Sequence, residues 1–147
     1  MKYDSARPYA ASCVLLRRDG KVALVLRSNT DWMNGYYGIP GGKVEENESF
    51  SEAAIREAKE EAGVIIKPEN LKQILINHRK ADDETISWVD AFFEATEWEG
   101  EVNNAESHKH SAIDWFDPDD LPENAIPLLK FVFAELKAGK TYSEYGW

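Results

Sequence analysis

The sequence predicts an α+β fold, a mixed α/β/α sandwich, on three observations. Short apolar runs of β character recur along the chain, two segments carry the apolar period of a helix, and the two kinds do not alternate as regular βαβ units. With 147 residues, 43% hydrophobic and 12% aromatic, the chain is expected to form one domain around a real core.

Residues 9–17 carry Ala10, Val14, Leu15 and Leu16, and residues 21–27 read Lys-Val-Ala-Leu-Val-Leu-Arg. Asp19-Gly20 between these apolar runs predicts a hairpin. Residues 28–38 read as a loop holding Trp32, Tyr36 and Tyr37, and Ile39-Pro40-Gly41-Gly42 follows as a tight passage where only small residues fit. Glu48-Ser49 opens a helix expected to reach Ala62, with Gly63 as its terminator. Strand signal follows at 64–66, 71–78 and 86–95. Residues 98–111 are polar and read as a loop, and Ile113-Asp114-Trp115-Phe116 as a short strand. Pro127 is placed for the first turn of a last helix, with Leu128, Leu129, Val132, Phe133 and Leu136 as its apolar stripe and Gly139 as its end. The tail, with Tyr142, Tyr145 and Trp147, is expected to pack on the body.

Composition narrows the function. No run approaches the roughly 18 apolar residues that cross a bilayer, and Met1-Lys2-Tyr3-Asp4 has no apolar signal region, so no membrane is expected as partner. Cys13 is the only cysteine, expected as a reduced thiol in a core strand; the expected location is cytoplasmic. The formal charge of −10 would repel a polyanion, which excludes polymeric nucleic acid as partner.

The acids are also clustered. At about 100° per residue, Glu57, Glu60 and Glu61 fall on one face of the first helix, with Arg56 among them. Like charges so spaced destabilise a bare helix, and a bound divalent cation reverses that penalty. Carboxylate oxygens suit Mg2+, with Mn2+ as a substitute. A solvated acidic face is the alternative for the helix alone. His108-x-His110 has no third soft ligand nearby in sequence, so it does not by itself predict a transition-metal site. His78, at a strand end, reads as structural.

The residues around the helix decide between these readings. From Gly42 the chain runs Gly-x5-Glu48-x7-Arg56-Glu57-Ala58-x-Glu60-Glu61-x-Gly63-Val64. This resembles the Nudix box of the Nudix hydrolase superfamily at every fixed position. Seven fixed letters, each expected about once in fifteen, coincide with a probability on the order of 10⁻⁸ per starting position. Residues 27–35 and the tail Tyr142-Ser143-Glu144-Tyr145-Gly146-Trp147 look like a bacterial MutT-like subgroup, which usually has Pro-Ala-Gly-His where this chain reads Pro40-Gly41-Gly42-Lys43.

The resemblance implies a Nudix fold, with a mixed central sheet, the box helix and a C-terminal helix, and a hydrolase that cuts a diphosphate linkage in a small nucleotide. It implies Glu57, Glu60 and Glu61 as metal ligands, joined by the carbonyl of Gly41, with Glu60 and Arg56 in the catalytic set. Gly42, Glu48 and Gly63 are implied as supports of the motif. MutT-like relatives take a general base from a later loop, where Glu97, Glu99, Glu101 and Glu106 all stand. Glu106, between Asn103-Asn104-Ala105 and Lys109, looks most like their pattern.

Trp32, Tyr37 and Arg79 are the candidates for substrate contact, by stacking or by charge, with core or loop anchoring as the alternative for the aromatics. Family marks for ADP-ribose, dinucleoside polyphosphates and NADH are missing at Arg79, Lys80, Ala81 and Asp82 and after the box. By elimination the expected substrate is a nucleoside triphosphate; kept beside it are a nucleotide sugar or other nucleoside diphosphate derivative as substrate, and a non-catalytic nucleotide sensor. Monomer and homodimer are both compatible with the sequence.

Overall fold

The computed structural model describes residues 5–81 and 86–147; the first four residues and Asp82, used above, lie outside that set. Strands β1 (Tyr9–Arg18) and β2 (Lys21–Arg27) form the expected hairpin, antiparallel with Arg17 opposite Val22. Its turn needs positive φ at both central positions, and Asp19 (53°) and Gly20 (76°) supply it. Two short strands follow, β3 (Tyr37–Gly38) and β4 (Gly41–Lys43), then helix α1 (Phe50–Ala62). Beyond a 3₁₀ turn at Pro68–Asn70 come β5 (Lys72–Lys80), β6 (Ser87–Ala95), β7 (His110–Phe116), helix α2 (Pro127–Lys137) and β8 (Tyr142–Tyr145).

The sheet runs β3-β2-β1-β6-β5-β8, with β4 also pairing β1 and β7 pairing β2. It is mixed: β1 and β6 are parallel over Tyr9–Leu16 and Trp88–Ala95, β5 and β8 are parallel, and the other ladders are antiparallel. Alternation along each strand sends side chains to two cores. Val14, Leu16, Ala91 and Phe93 pack with Ala54, Ala58 and Ala62 of α1, while Leu15, Leu24, Leu75 and Phe92 pack with Leu129, Val132 and Phe133 of α2. One helix therefore covers each face, and the α/β/α expectation holds.

Three local expectations change. Residues 64–66 do not form a strand: Val64 and Ile66 are buried, but only Ile65 bridges across, to Glu99. The tail is a strand, β8, hydrogen-bonded to β5 and anchored by Ser143 Oγ donating to the buried Asn77 Oδ1 at 2.8 Å. The 28–38 and 39–42 passages contain the short ladders β3 and β4.

Helix α1 starts at a capping box: Ser49 Oγ accepts from the Glu52 amide at 3.1 Å, and the Glu52 carboxylate accepts from the Ser49 amide at 2.8 Å. It ends at Gly63, whose φ of 71° is the left-handed conformation a glycine adopts without penalty. The buried apolar residues of α1 are all alanines, so the helix axis lies close to the sheet, and Ser12 Oγ donates across the gap to the Phe50 carbonyl at 2.7 Å. Removing the cap with Ser49→Ala is expected to lower stability by about 1 kcal/mol, read as a shift of the urea midpoint with an unchanged slope. An unshifted midpoint would show that the box contributes nothing measurable.

Candidate active site

The alanine face brings α1 close enough for two of its carboxylates to meet the β4 backbone. Glu57 and Glu61 are only 8% and 7% exposed, an unusual state for two glutamates one helical turn apart. Gly41 N–H donates to Glu61 Oε2 at 3.0 Å. A side chain at Gly41 would drive a Cβ to 2.8 Å from the Cys13 Cα, and one at Gly42 would collide with the Glu57 carboxylate. Gly42 thus leaves the space that the Glu57 carboxylate fills, and Gly41 lets β4 lie against β1.

Glu60 differs from its neighbours. Its side chain is 48% exposed, because it lies roughly 100° around the helix from Glu61 and faces the rim instead of the sheet. Arg56 links the set. Its guanidinium grips Glu48 bidentately, Nε to Oε2 at 2.7 Å and Nη2 to Oε1 at 3.0 Å, and Nη1 donates to Glu57 Oε1 at 2.9 Å and Glu60 Oε2 at 3.2 Å. Nη2 also donates to the Lys43 carbonyl at 3.1 Å, tying the segment before the helix to its middle. Glu48 accepts the Glu45 amide at 3.0 Å as well, which folds the approach to the helix.

The 98–111 segment reaches the same place through backbone contacts. Helix ends leave carbonyls without intrahelical partners, and here the loop supplies donors: Asn103 N–H to the Ala62 carbonyl at 3.0 Å and Ala105 N–H to the Glu61 carbonyl at 3.3 Å. Gly63 permits this docking, since a Cβ there would run into the Asn103 side chain. The next residue is Glu106, whose carbonyl accepts the amides of Lys109 (2.9 Å) and His110 (3.1 Å) in a single turn. That turn sets the Glu106 carboxylate and the His110 imidazole beside Glu61, one donor atom of each lying within 4.8 Å of the others. Glu99 instead bridges Ile65 by its backbone and lies 3.8 Å from Lys67, while Glu97 and Glu101 are exposed.

The donor set suits a hard divalent cation. Glu61 and Glu106 converge, Glu57 lies within electrostatic reach of both, Arg56 is the cation hydrogen-bonded to Glu57, and Glu61 receives only the Gly41 amide among the described residues. The comparison with known proteins agrees: the NUDIX domain profile matches residues 6–136.

This chain belongs to the Nudix hydrolase family. It is 28% identical to the CTP pyrophosphohydrolase of Escherichia coli (strain K12) over 131 residues, 86% of this chain and 91% of that one. It is 29% identical to the 8-oxo-dGTP diphosphatase of Proteus vulgaris over 99 residues, 67% of this chain and 85% of that one. The crystal structure of the MutT NUDIX hydrolase from Burkholderia pseudomallei superposes with a TM-score of 0.79 at 26% identity, over 88% of this chain and 98% of that one.

Burial and crowding perturb the titrations of this Nudix hydrolase. Burial raises the Glu61 carboxyl well above the ordinary glutamate range, and Glu57 and Glu106 push it further against the Gly41 hydrogen bond. Burial raises Glu57 too, with Arg56 opposing. Glu48, hydrogen-bonded by Arg56, is held low. Burial pushes the Cys13 thiol up, which disfavours the thiolate form.

Two residues near the Nudix site are not among the sequence candidates: Arg27 has no assigned role there, and His110 is weighed with His108 and set aside. Arg27, ending β2 opposite His110, acts electrostatically on both Glu61 and His110. His110 itself is 2% exposed, with Nε2 4.0 Å from Glu61 Oε1, whereas His108 is in solvent. The spacing of Glu106 and His110, four apart in one turn, was the available signal.

The substrate-contact candidates are spread out. Trp32 is 45% exposed, its carbonyl accepting Arg27 Nε at 3.0 Å and its ring 5.3 Å from the Arg27 guanidinium. Tyr37 donates its hydroxyl to Asp114 Oδ2 at 2.9 Å and sets its ring edge-on to Phe116. Arg79 is paired with the buried Asp90 at 2.6 Å and lies 4.7 Å over the Trp88 ring.

Two outcomes follow for this Nudix site. Gly42→Ala should displace the Glu57 carboxylate and weaken divalent-ion binding by about 10- to 100-fold, measured by calorimetry, with an unaltered circular dichroism spectrum; wild-type affinity would mean the glycine is dispensable. The raised Glu61 carboxyl also makes metal-free stability depend on pH. A carboxyl whose folded-state pKa lies above its unfolded value binds more protons when folded, so stability falls as pH rises between the two values. Melting temperatures in EDTA should decline across that window more steeply for the wild type than for Glu61→Gln; parallel profiles would contradict the assignment.

Proposed function

We propose that this Nudix hydrolase uses Mg2+, with Mn2+ as a substitute, to split a nucleoside triphosphate and water into the nucleoside monophosphate and pyrophosphate. The observation that carries the reading is the convergence of Glu106, on a loop, with Glu61, on α1, beside Gly41, with Glu57 near enough to act electrostatically on Glu61. The names of the relatives, one for CTP and one for 8-oxo-dGTP, favour a triphosphate over other diphosphate-linked nucleotides.

In this proposal Glu57, Glu60, Glu61 and the Gly41 carbonyl would hold the metal. The bound ion supplies charge neutralisation on the diphosphate and acidifies water. Arg56 orients Glu57 and Glu60 through hydrogen bonds already formed in the fold. Glu106 takes the proton of the attacking water, its carboxylate held near Lys109 Nζ at 3.4 Å. The chain's own charge of −10 opposes an anion, so phosphate recognition would depend on the cation that the box carboxylates would hold. Trp32 stacks on the base through its exposed face, and Arg79, fixed by Asp90, offers a positioned guanidinium. The retained carboxylates argue for catalysis over mere sensing. One domain in the cytoplasm, working as a monomer or homodimer, completes the reading.

A panel of nucleoside triphosphates, nucleotide sugars and dinucleotides, assayed separately for phosphate and pyrophosphate release, tests the substrate class. The expected result is pyrophosphate from a triphosphate, abolished by EDTA and restored by Mg2+; turnover confined to nucleotide sugars would overturn it. Glu106→Gln is expected to reduce kcat by about 10²- to 10⁴-fold with KM little changed, and undiminished kcat would remove Glu106 from the role of base.

A further inference from the structure

We propose that His110 is a metal ligand, which beside Glu61 adds an imidazole nitrogen to the oxygen donors of the site and so shifts its preference toward a transition ion such as Mn2+ relative to Mg2+. The inference rests on the reading that the box carboxylates hold a divalent ion, and adds a nitrogen donor that the box does not contain.

The geometry is specific to this side chain. His110 is 2% exposed, yet its Nδ1 is buried without a hydrogen-bond partner, and Nε2 faces Glu61 Oε1 at 4.0 Å, too far for a hydrogen bond. The ring thus turns Nε2 toward the Glu61 and Glu106 carboxylates with no hydrogen bond to it among the described residues, an arrangement that leaves this nitrogen available to a ligand there. The backbone fixes its place from three sides: the His110 amide donates to the Glu106 carbonyl at 3.1 Å, its carbonyl accepts Asn104 Nδ2 at 2.7 Å, and its strand position pairs with Arg27. The ring therefore stays beside the carboxylates without help from solvent.

The chemistry follows from the donor types. Magnesium takes oxygen ligands in a strict octahedron and keeps its waters, so a lone imidazole adds little to its binding. Borderline ions accept imidazole nitrogen together with carboxylate oxygen. An oxygen-only box treats these ions more evenly than a box completed by His110.

The test uses the whole protein, stripped with EDTA and loaded with Mn2+ below one equivalent, without nucleotide. Pulsed electron paramagnetic resonance should show nitrogen coupling to the bound Mn2+, altered by 15N-histidine labelling, retained in His108→Gln and lost in His110→Gln. His110→Gln should also weaken Mn2+ binding by about tenfold or more while changing Mg2+ affinity by less than about threefold. No nitrogen coupling in the wild type, its loss in His108→Gln, or equal weakening toward both ions would overturn the proposal. If His110→Gln does not fold, the wild-type and His108→Gln spectra decide alone. Triphosphate hydrolysis in Mg2+, run on the same preparation, separates the two readings: turnover without nitrogen coupling rejects the role of His110 and leaves the proposed function standing.

Discussion

Arg56 directs hydrogen bonds to three glutamates and one carbonyl, and the site is assembled around that guanidinium. Without it, Glu48, Glu57 and Glu60 would repel one another across a short stretch of surface. With it, the segment leading into α1 is fixed to the middle of the helix, and the carbonyl of Lys43 is drawn in just beyond Gly41 and Gly42. A planar fork is needed for this; an ammonium at the same place could not grip Glu48 bidentately while reaching Glu57 and Glu60. The charge is also incompletely balanced. Arg56 reaches Glu57, but among the described residues Glu61 accepts a hydrogen bond from an amide alone, so the deeper carboxylate keeps the demand that a cation answers.

The second constraint is how close the helix lies to the sheet. Ala54, Ala58 and Ala62 pack on Val14, Leu16, Ala91 and Phe93, and larger side chains at those alanines would lift α1 off the strands. The glycines of β4 complete the same fit from the other side. Packing and chemistry are therefore one requirement here: the small residues that build the core are also those that set carboxylate against backbone.

The box was legible because its chemistry fixes residue types at fixed helical intervals, and the hairpin because Asp19-Gly20 meets an unusual backbone demand. Other features left weaker traces. Residues 64–66 are apolar because Val64 and Ile66 are buried, and burial alone cannot distinguish a strand from a packed loop. Strands β3 and β4 are only two and three residues long and carry Gly38, Gly41 and Gly42, which dilute any strand signal. Strand β8 reads Tyr-Ser-Glu-Tyr and depends on a buried Ser143–Asn77 contact that no local pattern announces. Glu106 was singled out by resemblance only, since the amide-to-carbonyl contacts that deliver it involve no side chain. His110 and His108 are the same letter two places apart, and only the fold distinguishes the buried one from the solvated one.

The placement of the acids at the end of α1 also imposes an order of arrival. The C-terminal pole of a helix carries partial negative charge, and it adds to Glu60 and Glu61 in a chain already ten charges negative. A bare polyphosphate meets an uphill field on approach, while a small cation meets a downhill one. The favoured visitor is thus a polyanion already partly neutralised by its own counterion, and free divalent ion in the surroundings becomes the throttle on how often an encounter succeeds.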